Sequence, residues 1–308
     1  MKIAAIVILR DEFDILELFF KINSRVIDHF FVIDTALDEN FPVLEKLKFI
    51  NDLDIVLFRD LSGNFKEEEM VKRALASAKN MRNFDWMIPL DMDEFINIDK
   101  QKLIDELRTV PDYHNAFLKH STWVPKTNDF YSSKNPLWTN FSRRKTEYHN
   151  LGKVVVPKSL FDGITFSPIF NFGLLGNMMD IIPAIEMQCG VLDHVPVRSS
   201  NQLFVKIVLR YKKISLKKDR KDYEHMHWDA IYKLLQQHAY NIDNLLLRYI
   251  ALTYTLTDLS VDVVDGVDLD SRLGLESDRM EHGYYGHNPN KYLLNFIDRV
   301  NAALKPRI

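Results

Sequence analysis

The sequence predicts an α/β protein with a mostly parallel sheet and flanking helices, followed by a helical C-terminal part. Within the first hundred residues, short apolar runs of strand length alternate with longer segments whose apolar residues recur at helical spacing. From residue 199 onward, helical spacing dominates. Continuous apolar runs are typical of parallel strands, which are buried on both faces beneath helices.

The elements of the first hundred residues follow in order. Strands are predicted over residues 2–9, 29–33, 53–58 and 85–90. Helices are predicted between them over residues 11–22, 41–50 and 66–81, and after the fourth strand over residues 101–110. The helix over 66–81 has acids in its first turn and bases later, which is the arrangement that the helix dipole favours.

The remaining chain consists of a mixed middle segment and a helical end. Residues 111–197 are aromatic-rich and irregular, with a strand-like run over 153–157. Helical spacing then returns over residues 199–214, 228–240, 242–256 and 290–304. We therefore expect two domains, residues 1–198 and residues 199–308.

Composition limits the class of protein. The chain has 308 residues, 46% of them hydrophobic, and a formal net charge of −3, as expected of a soluble globular protein and without a charge that favours nucleic acid. Its one cysteine, Cys189, excludes an intrachain disulfide and fits a reducing compartment. The opening apolar run stops at Arg10 and lacks a signal-peptide cleavage site, so we expect a cytoplasmic protein.

Acidic residues follow several of the predicted strands. Glu12 follows the first strand, Asp34 the second, and Asp91 and Asp93 the fourth. Open parallel sheets bind ligands outside the carboxyl ends of their strands. Residues two apart in an extended segment share a face, so Asp91 and Asp93 are predicted to lie together, with Glu94 turned aside.

Two carboxylates on one face would suit Mg²⁺ or Mn²⁺, which keeps positions open for phosphate oxygens. The site would then hold a diphosphate leaving group. The alternative is that these acids are helix caps or a solvated turn, because a short D-x-D motif often occurs by chance.

Three stretches resemble GT-A-fold glycosyltransferases of the family 2-like kind found in bacterial surface-polysaccharide pathways. They are "ILRDEFDILELFFKINSRVIDHFFVIDTALDEN", "WMIPLDMDEFI" and "LDHVPVRSSNQLFVK", which together cover most of residues 1–210. The resemblance implies a GT-A domain over residues 1–198 that binds a nucleoside diphosphate sugar with Mn²⁺ or Mg²⁺. It leaves residues 199–308 for acceptor binding, oligomerisation or contact with a membrane surface.

The resemblance also implies roles for individual residues. Asp34 would lie by the base or ribose, and Glu12 would retain the acid of a first loop that is more usually Lys-Asn-Glu. The metal ligands would be Asp91, Asp93 and His194, with Asp93 favoured as the direct ligand. Arg198 and Lys206 would neutralise phosphate.

Structural alternatives apply to the last of these stretches. Ser199 and Gln202 are spaced as a capping box, which would simply begin a helix. Arg198, Gln202 and Lys206 recur every four residues, as on one solvated helix face. A lone histidine such as His194 is often structural.

The predicted reaction is transfer of a sugar to a hydroxyl of a glycan or lipid-linked acceptor, by an inverting single displacement. A base must remove the acceptor's proton, and Asp129, Glu147 and Glu186 are the candidates, which the sequence does not separate. The basic run over residues 210–221 would either meet anionic lipid headgroups or form a solvated helix end.

Two other functions stay open at this point. One is a non-catalytic GT-A module that binds a nucleotide or a partner. The other is a phosphohydrolase of the haloacid-dehalogenase type, which also uses D-x-D. That family places the motif after its first strand and follows it with Thr, whereas here it follows the fourth strand and precedes Glu94 and Phe95.

Overall fold

The structure, a computed structural model, describes residues 1–9, 15–34, 53–59, 67–81, 83–125, 141–144, 152–160, 184–198, 200, 202–207, 226–238, 241–253 and 263–264. The chain forms two compact units. Unit 1 comprises Met1–Ser121 and Glu147–His194, and unit 2 comprises Thr122–Thr146 and Val195–Ile308. Unit 2 therefore includes residues 122–146, which the sequence analysis assigned to the first domain. The functions assigned to the two predicted domains stay a prediction.

Unit 1 is built on four parallel strands. They are β1 (Ile3–Leu9), β2 (His29–Asp34), β3 (Ile55–Arg59) and β4 (Trp86–Asp91). Their order in the sheet is β3-β2-β1-β4, and each neighbouring pair is parallel. The predicted α/β class is confirmed, and the four predicted strands are all present. Every residue of β1 and β2 is buried, which is why these strands are continuous apolar runs rather than alternating ones.

Helices cover both faces of this sheet. The first helix, α1 (Leu16–Asn23), places Phe20 edge-to-face against Phe30 at 5.1 Å between ring centroids. The second, α2 (Glu67–Met81), shares one core cluster with Phe31 of the same strand. Because neighbouring residues of a strand point to opposite faces, α1 and α2 lie on opposite sides of the sheet.

Shorter elements complete unit 1. The chain continues from β4 through β5 (Glu94–Ile96) and α3 (Lys100–Leu107) into β6 (Asn115–Pro125), whose residues up to Ser121 belong to unit 1. A later strand, β8 (Gly152–Pro157), pairs antiparallel with both β4 and β6. The last two are β9 (Ala184–Glu186), parallel to β6, and β10 (Leu192–His194), antiparallel to β5.

Unit 2 has an α-helical core. It contains α4 (Met226–Gln237), α5 (Asn244–Thr253) and a helical segment over residues 202–207. Buried residues of all three pack in one cluster: Leu203, Phe204, Ile207, Ile231, Leu235, Leu246, Leu247, Ile250 and Ala251. The end of β6 pairs with β7 (Phe141–Arg144), which pairs with β11 (Val263–Val264).

Parts of the predicted helical pattern lie outside the described residues, namely the helices over 41–50 and 290–304 and the basic run over 210–221. Among the residues that the structure describes, no helix combines the length and the apolar character that crossing a membrane requires.

The strand order defines one special edge of the sheet. From β1 the chain steps outward to β2 and β3, and then returns to place β4 on the other side of β1. The direction of the connections thus reverses between β1 and β4. A crevice forms outside the carboxyl ends of the strands at such a point, and this is where open α/β sheets bind ligands.

Candidate functional site

The carboxyl ends of β1, β2 and β3 are in register at this edge. Leu9 lies beside Asp34, and Asp34 lies beside Arg59. The Asp34 side chain is almost wholly buried, and the Arg59 Nε atom lies 3.1 Å from its Oδ2 atom. Asp34 is therefore at the predicted edge, but a neighbouring guanidinium that the sequence analysis did not consider already neutralises it. Its contact with a base or ribose stays a prediction.

A turn at the end of β4 separates the acids of the D-x-D motif. Asp91 is the last residue of β4, Met92 and Asp93 form the turn, and Glu94 begins β5. The prediction that Asp91 and Asp93 share a face assumed an extended segment, and the alternation of a strand does not continue through this turn. Their joint contact with a ligand stays a prediction. Glu94 is not turned aside, since it is buried and its Oε2 atom accepts a hydrogen bond from the Asp91 backbone N–H at 2.8 Å.

A buried lysine joins two of these acids. Lys153 extends from β8, and its Nζ atom lies 2.7 Å from Asp91 Oδ2 and 3.2 Å from Glu94 Oε1. The Lys153 side chain has no solvent exposure, whereas Asp91 exposes 38% of its side chain. Burial lowers the pKa of Lys153, but the carboxylates of Asp91 and Glu94 together raise it by more. The pKa of Lys153 therefore lies above its ordinary value. The group remains an ammonium ion.

Two histidines continue the cluster. His120 of β6 places its Nε2 atom 3.0 Å from Glu94 Oε1, and its ring centroid lies 5.0 Å from that of His194. His194 of β10 has its Nε2 atom 3.7 Å from Asp93 Oδ1. Burial raises the pKa of Glu94, but Lys153 and the histidines, chiefly His120, outweigh this and lower it to about 2. Glu94 is therefore a carboxylate at neutral pH.

The backbone around the cluster explains its arrangement. His194 pairs with Glu94 in the antiparallel β10–β5 ladder. The buried Asn23 side chain, at the end of α1, holds β5: its Nδ2 donates to Glu94 O at 3.0 Å, and its Oδ1 accepts from Ile96 N–H at 2.8 Å. These long-range contacts bring together six side chains from five strands and a turn: Asp91, Asp93, Glu94, His120, Lys153 and His194. We call them the carboxylate cluster.

The carboxylate cluster fits a divalent cation only in part. In the described part of the chain, no three His, Cys, Asp or Glu side chains are arranged to hold one metal ion. The predicted trio of Asp91, Asp93 and His194 is not among such groups, and the Asp91 carboxylate lies against Lys153. The trio as a metal site stays a prediction.

The pair of Asp93 and His194 does fit a cation. Metal–ligand bonds of about 2.0–2.2 Å place adjacent ligand atoms about 3 Å apart, which a small adjustment of the observed 3.7 Å achieves. The cluster has three carboxylates against the one Lys153 ammonium, and a divalent ion would offset the excess negative charge. Mg²⁺ and Mn²⁺ sites often use few protein ligands and take the others from phosphate and water.

Of the three predicted base candidates, the structure describes Glu186. Asp129, Glu147 and the first-loop residue Glu12 lie outside the described residues. Glu186 is described, and its Oε1 atom lies 2.6 Å from Lys119 Nζ. Lys119 and His120 are neighbours on β6 and point to opposite faces of that strand, so Glu186 lies on the face away from His120.

Arg198 and Lys206 belong to unit 2 and have backbone partners there. Arg198 is fully buried, and its Nη1 atom donates to Val195 O at 3.1 Å. Lys206 Nζ donates to Pro196 O at 3.2 Å. Gln202 Oε1 accepts from the Arg198 N–H at 3.1 Å, whereas a capping box would have it accept from the N–H of Ser199, which lies outside the described residues. Contact of either cation with phosphate stays a prediction.

Lys153 and His120 were not among the site residues predicted from the sequence. Lys153 is one charge at the head of an otherwise apolar strand-like run, and such a charge needs a partner if the strand is buried. That signal was present for Lys153. His120 had no comparable signal, because only the pairing of distant strands brings it to Glu94.

No protein-family model matches the chain, and no curated protein matches it. Among solved structures, TarS of S. aureus matches at 12% identity over 84% of this chain and 46% of that chain, with a TM-score of 0.40. GalNAc-T7, solved with UDP, GalNAc and Mn²⁺, matches at 12% identity over 77% and 55%, with a TM-score of 0.37. The inositol-1-phosphate CTP transferase from T. maritima matches at 10% identity over 69% and 96%, with a TM-score of 0.36.

This chain thus spans about half the length of the first two of these proteins.

Proposed function

We propose that the chain is a GT-A-type glycosyltransferase that binds a nucleoside diphosphate sugar at the carboxyl edge between β1 and β4. It transfers the sugar to a hydroxyl of a glycan or lipid-linked acceptor, in the synthesis of a surface polysaccharide such as lipopolysaccharide or capsule. One observation carries the proposal: the carboxylate cluster lies at the end of β4, beside the point where the strand order reverses. The resemblance of the three sequence stretches agrees with it.

Asp93 and His194 are the residues that would hold Mn²⁺ or Mg²⁺ in this proposal. When bound, the cation would stabilise the negative charge that develops on the leaving diphosphate. Asp93 supplies the anionic ligand, and His194 supplies a neutral one from a separate strand. The half-exposed Asp91 carboxylate lies at the carboxyl end of β4 and would be available to the donor.

The acceptor hydroxyl requires a base in a single displacement. Asp129 and Glu147 stay candidates for it, whereas the pairing of Glu186 with Lys119 does not support that residue. The D-x-D motif follows the fourth strand, which does not favour a haloacid-dehalogenase-type phosphohydrolase.

Thermal-shift measurements against UDP-, GDP-, dTDP- and CMP-sugars, with and without Mn²⁺, test the donor site. We expect stabilisation by one nucleotide class that depends on the metal and is lost in Asp93→Ala. A shift without sugar transfer to any acceptor would favour the non-catalytic module. No shift with any nucleotide sugar would contradict the proposal.

We further propose a cytoplasmic location with peripheral contact to the inner face of the membrane, where lipid-linked acceptors would be reached. The basic run over residues 210–221 supports this through its charge. Co-sedimentation with liposomes should increase with anionic lipid and fall with salt. Indifference to lipid charge would contradict the membrane contact.

A further inference from the structure

Lys153 is a fully buried cation in the middle of the proposed donor site. Its ammonium contacts Asp91 at 2.7 Å and Glu94 at 3.2 Å, and its side chain has no exposed surface. A group without exposed surface does not itself touch a bound diphosphate. Its effect on the site must therefore pass through the two carboxylates.

The backbone holds Lys153 in place. Lys153 pairs with Leu118 of β6, and the same strand pairs with β4 through Val156 and Met87. The ammonium thus extends from a strand that is paired on both sides, and it lies 2.7 Å from the carboxylate of Asp91, the last residue of β4. In this geometry Lys153 determines where the Asp91 carboxylate lies.

We propose that Lys153 is a positioning residue that keeps Asp91 out of the cation site, so that Asp93 and His194 bind the cation without it. The inference rests on the proposed function and assigns the two acids of the motif different tasks. Asp93 binds the metal, and Asp91, neutralised by Lys153, remains half-exposed for the donor. In the absence of Lys153, Asp91 is released and becomes a further ligand.

A pair of variants of equal net charge tests the division of tasks. Asp91→Asn and Asp93→Asn each remove one negative charge, so long-range electrostatics weakens cation binding in both. Mn²⁺ affinity of the full chain is measured by the electron paramagnetic resonance signal of the free ion. We expect Asp93→Asn to weaken binding at least about tenfold more than Asp91→Asn does, because only Asp93→Asn removes a ligand. Equal weakening would overturn the inference.

Variants of Lys153 test its role directly. Lys153→Met should bind Mn²⁺ roughly tenfold more tightly than wild type, because it frees a carboxylate and removes a nearby positive charge. The double variant Lys153→Met/Asp91→Asn has the wild-type net charge and should return to within about threefold of the wild-type affinity. Lys119→Met removes a lysine charge from the opposite face of β6 and should change the affinity less than about twofold. A folded Lys153→Met that binds Mn²⁺ no more tightly than wild type would overturn the proposal.

A spectroscopic readout separates this role from a merely structural one. Pulsed paramagnetic resonance detects a nitrogen bound directly to Mn²⁺. The nitrogen coupling from His194 should be present in wild type and Asp91→Asn and absent in His194→Gln. If the Lys153 variants do not fold, as judged by circular dichroism, the Asp91→Asn and Asp93→Asn comparison is still able to overturn the proposal, because equal weakening would show that Asp91 is not kept out of the cation site.

The outcomes distinguish the two proposals. Wild type that binds Mn²⁺ and loses it equally in both Asn variants would contradict the inference and leave the proposed function intact. Wild type that binds neither Mn²⁺ nor any nucleotide sugar would contradict both.

Discussion

Glu94 carries a full charge although its side chain exposes only 1% of its surface. It keeps this charge because Lys153, His120 and the Asp91 N–H compensate for the lost water. Removing one partner of such a buried pair costs about 3–5 kcal/mol, since the other charge is left buried without compensation. Glu94 is thus a structural member of the carboxylate cluster that holds the D-x-D turn.

Glu94→Gln should change how stability depends on pH. The pKa of Glu94 is lowered from 4.5 to about 2, so the folded state binds its proton less readily than the unfolded state does. Its stabilising contribution is fully present above the ordinary pKa and is lost as pH falls towards about 2. Urea unfolding of wild type and Glu94→Gln at several pH values should show a constant difference in unfolding free energy above about pH 5 that shrinks on acidification. A difference that does not change with pH would contradict this account.

Among the secondary-structure elements, α1 and β5 depend on one amide. Asn23→Ala would leave the Glu94 carbonyl and the Ile96 N–H buried without their present partner. Each such loss costs about 1–3 kcal/mol, so we expect Asn23→Ala to lower the unfolding free energy by about 2–5 kcal/mol. Gln101→Ala, which removes an exposed amide from α3, should cost less than about 0.5 kcal/mol in the same denaturant titration. A similar loss of unfolding free energy in the two variants would contradict the role of Asn23 in holding β5.

The strand that carries Lys153 begins at a glycine with no room for a side chain. A Cβ atom on Gly152 would overlap the Leu118 carbonyl and come within 2.7 Å of the Phe117 ring. Gly152→Ala should therefore destabilise the protein by about 1–3 kcal/mol, because β8 must move away from β6. Gly190→Ala meets only the side chain of Ile98, which is able to shift, and should cost less in thermal unfolding. A larger destabilisation by Gly190→Ala than by Gly152→Ala would contradict this, because it would show that β8 moves away from β6 with little loss of stability.

The strands could be predicted from the sequence because their apolar runs are continuous and end in charged residues. The edge position of Asp34 and Asp91 follows from those same ends. The arrangement of the acids within the D-x-D motif could not be predicted, since the turn at Met92 and Asp93 decides which acid faces which partner. His120 could not be predicted either, because it is far from Glu94 in sequence and only the pairing of the strands brings the two side chains together.

For the molecule as a whole, the strand order β3-β2-β1-β4 is what places a charged cluster at a ligand-binding edge. The cluster gathers residues from both parts of unit 1's chain, before Ser121 and after Glu147. All six residues of the carboxylate cluster belong to unit 1.

Sugar-nucleotide hydrolysis by the full chain tests the central claim most directly, with the donor class found by thermal shift and with either Mn²⁺ or EDTA present. We predict turnover in Mn²⁺, none in EDTA, and a loss of about 10²–10³-fold in Asp93→Ala, because the developing diphosphate charge is then unsupported. Asp105→Ala, at an exposed acid of α3, should keep wild-type activity. Turnover that persists in EDTA, or an undiminished Asp93→Ala, would contradict the account.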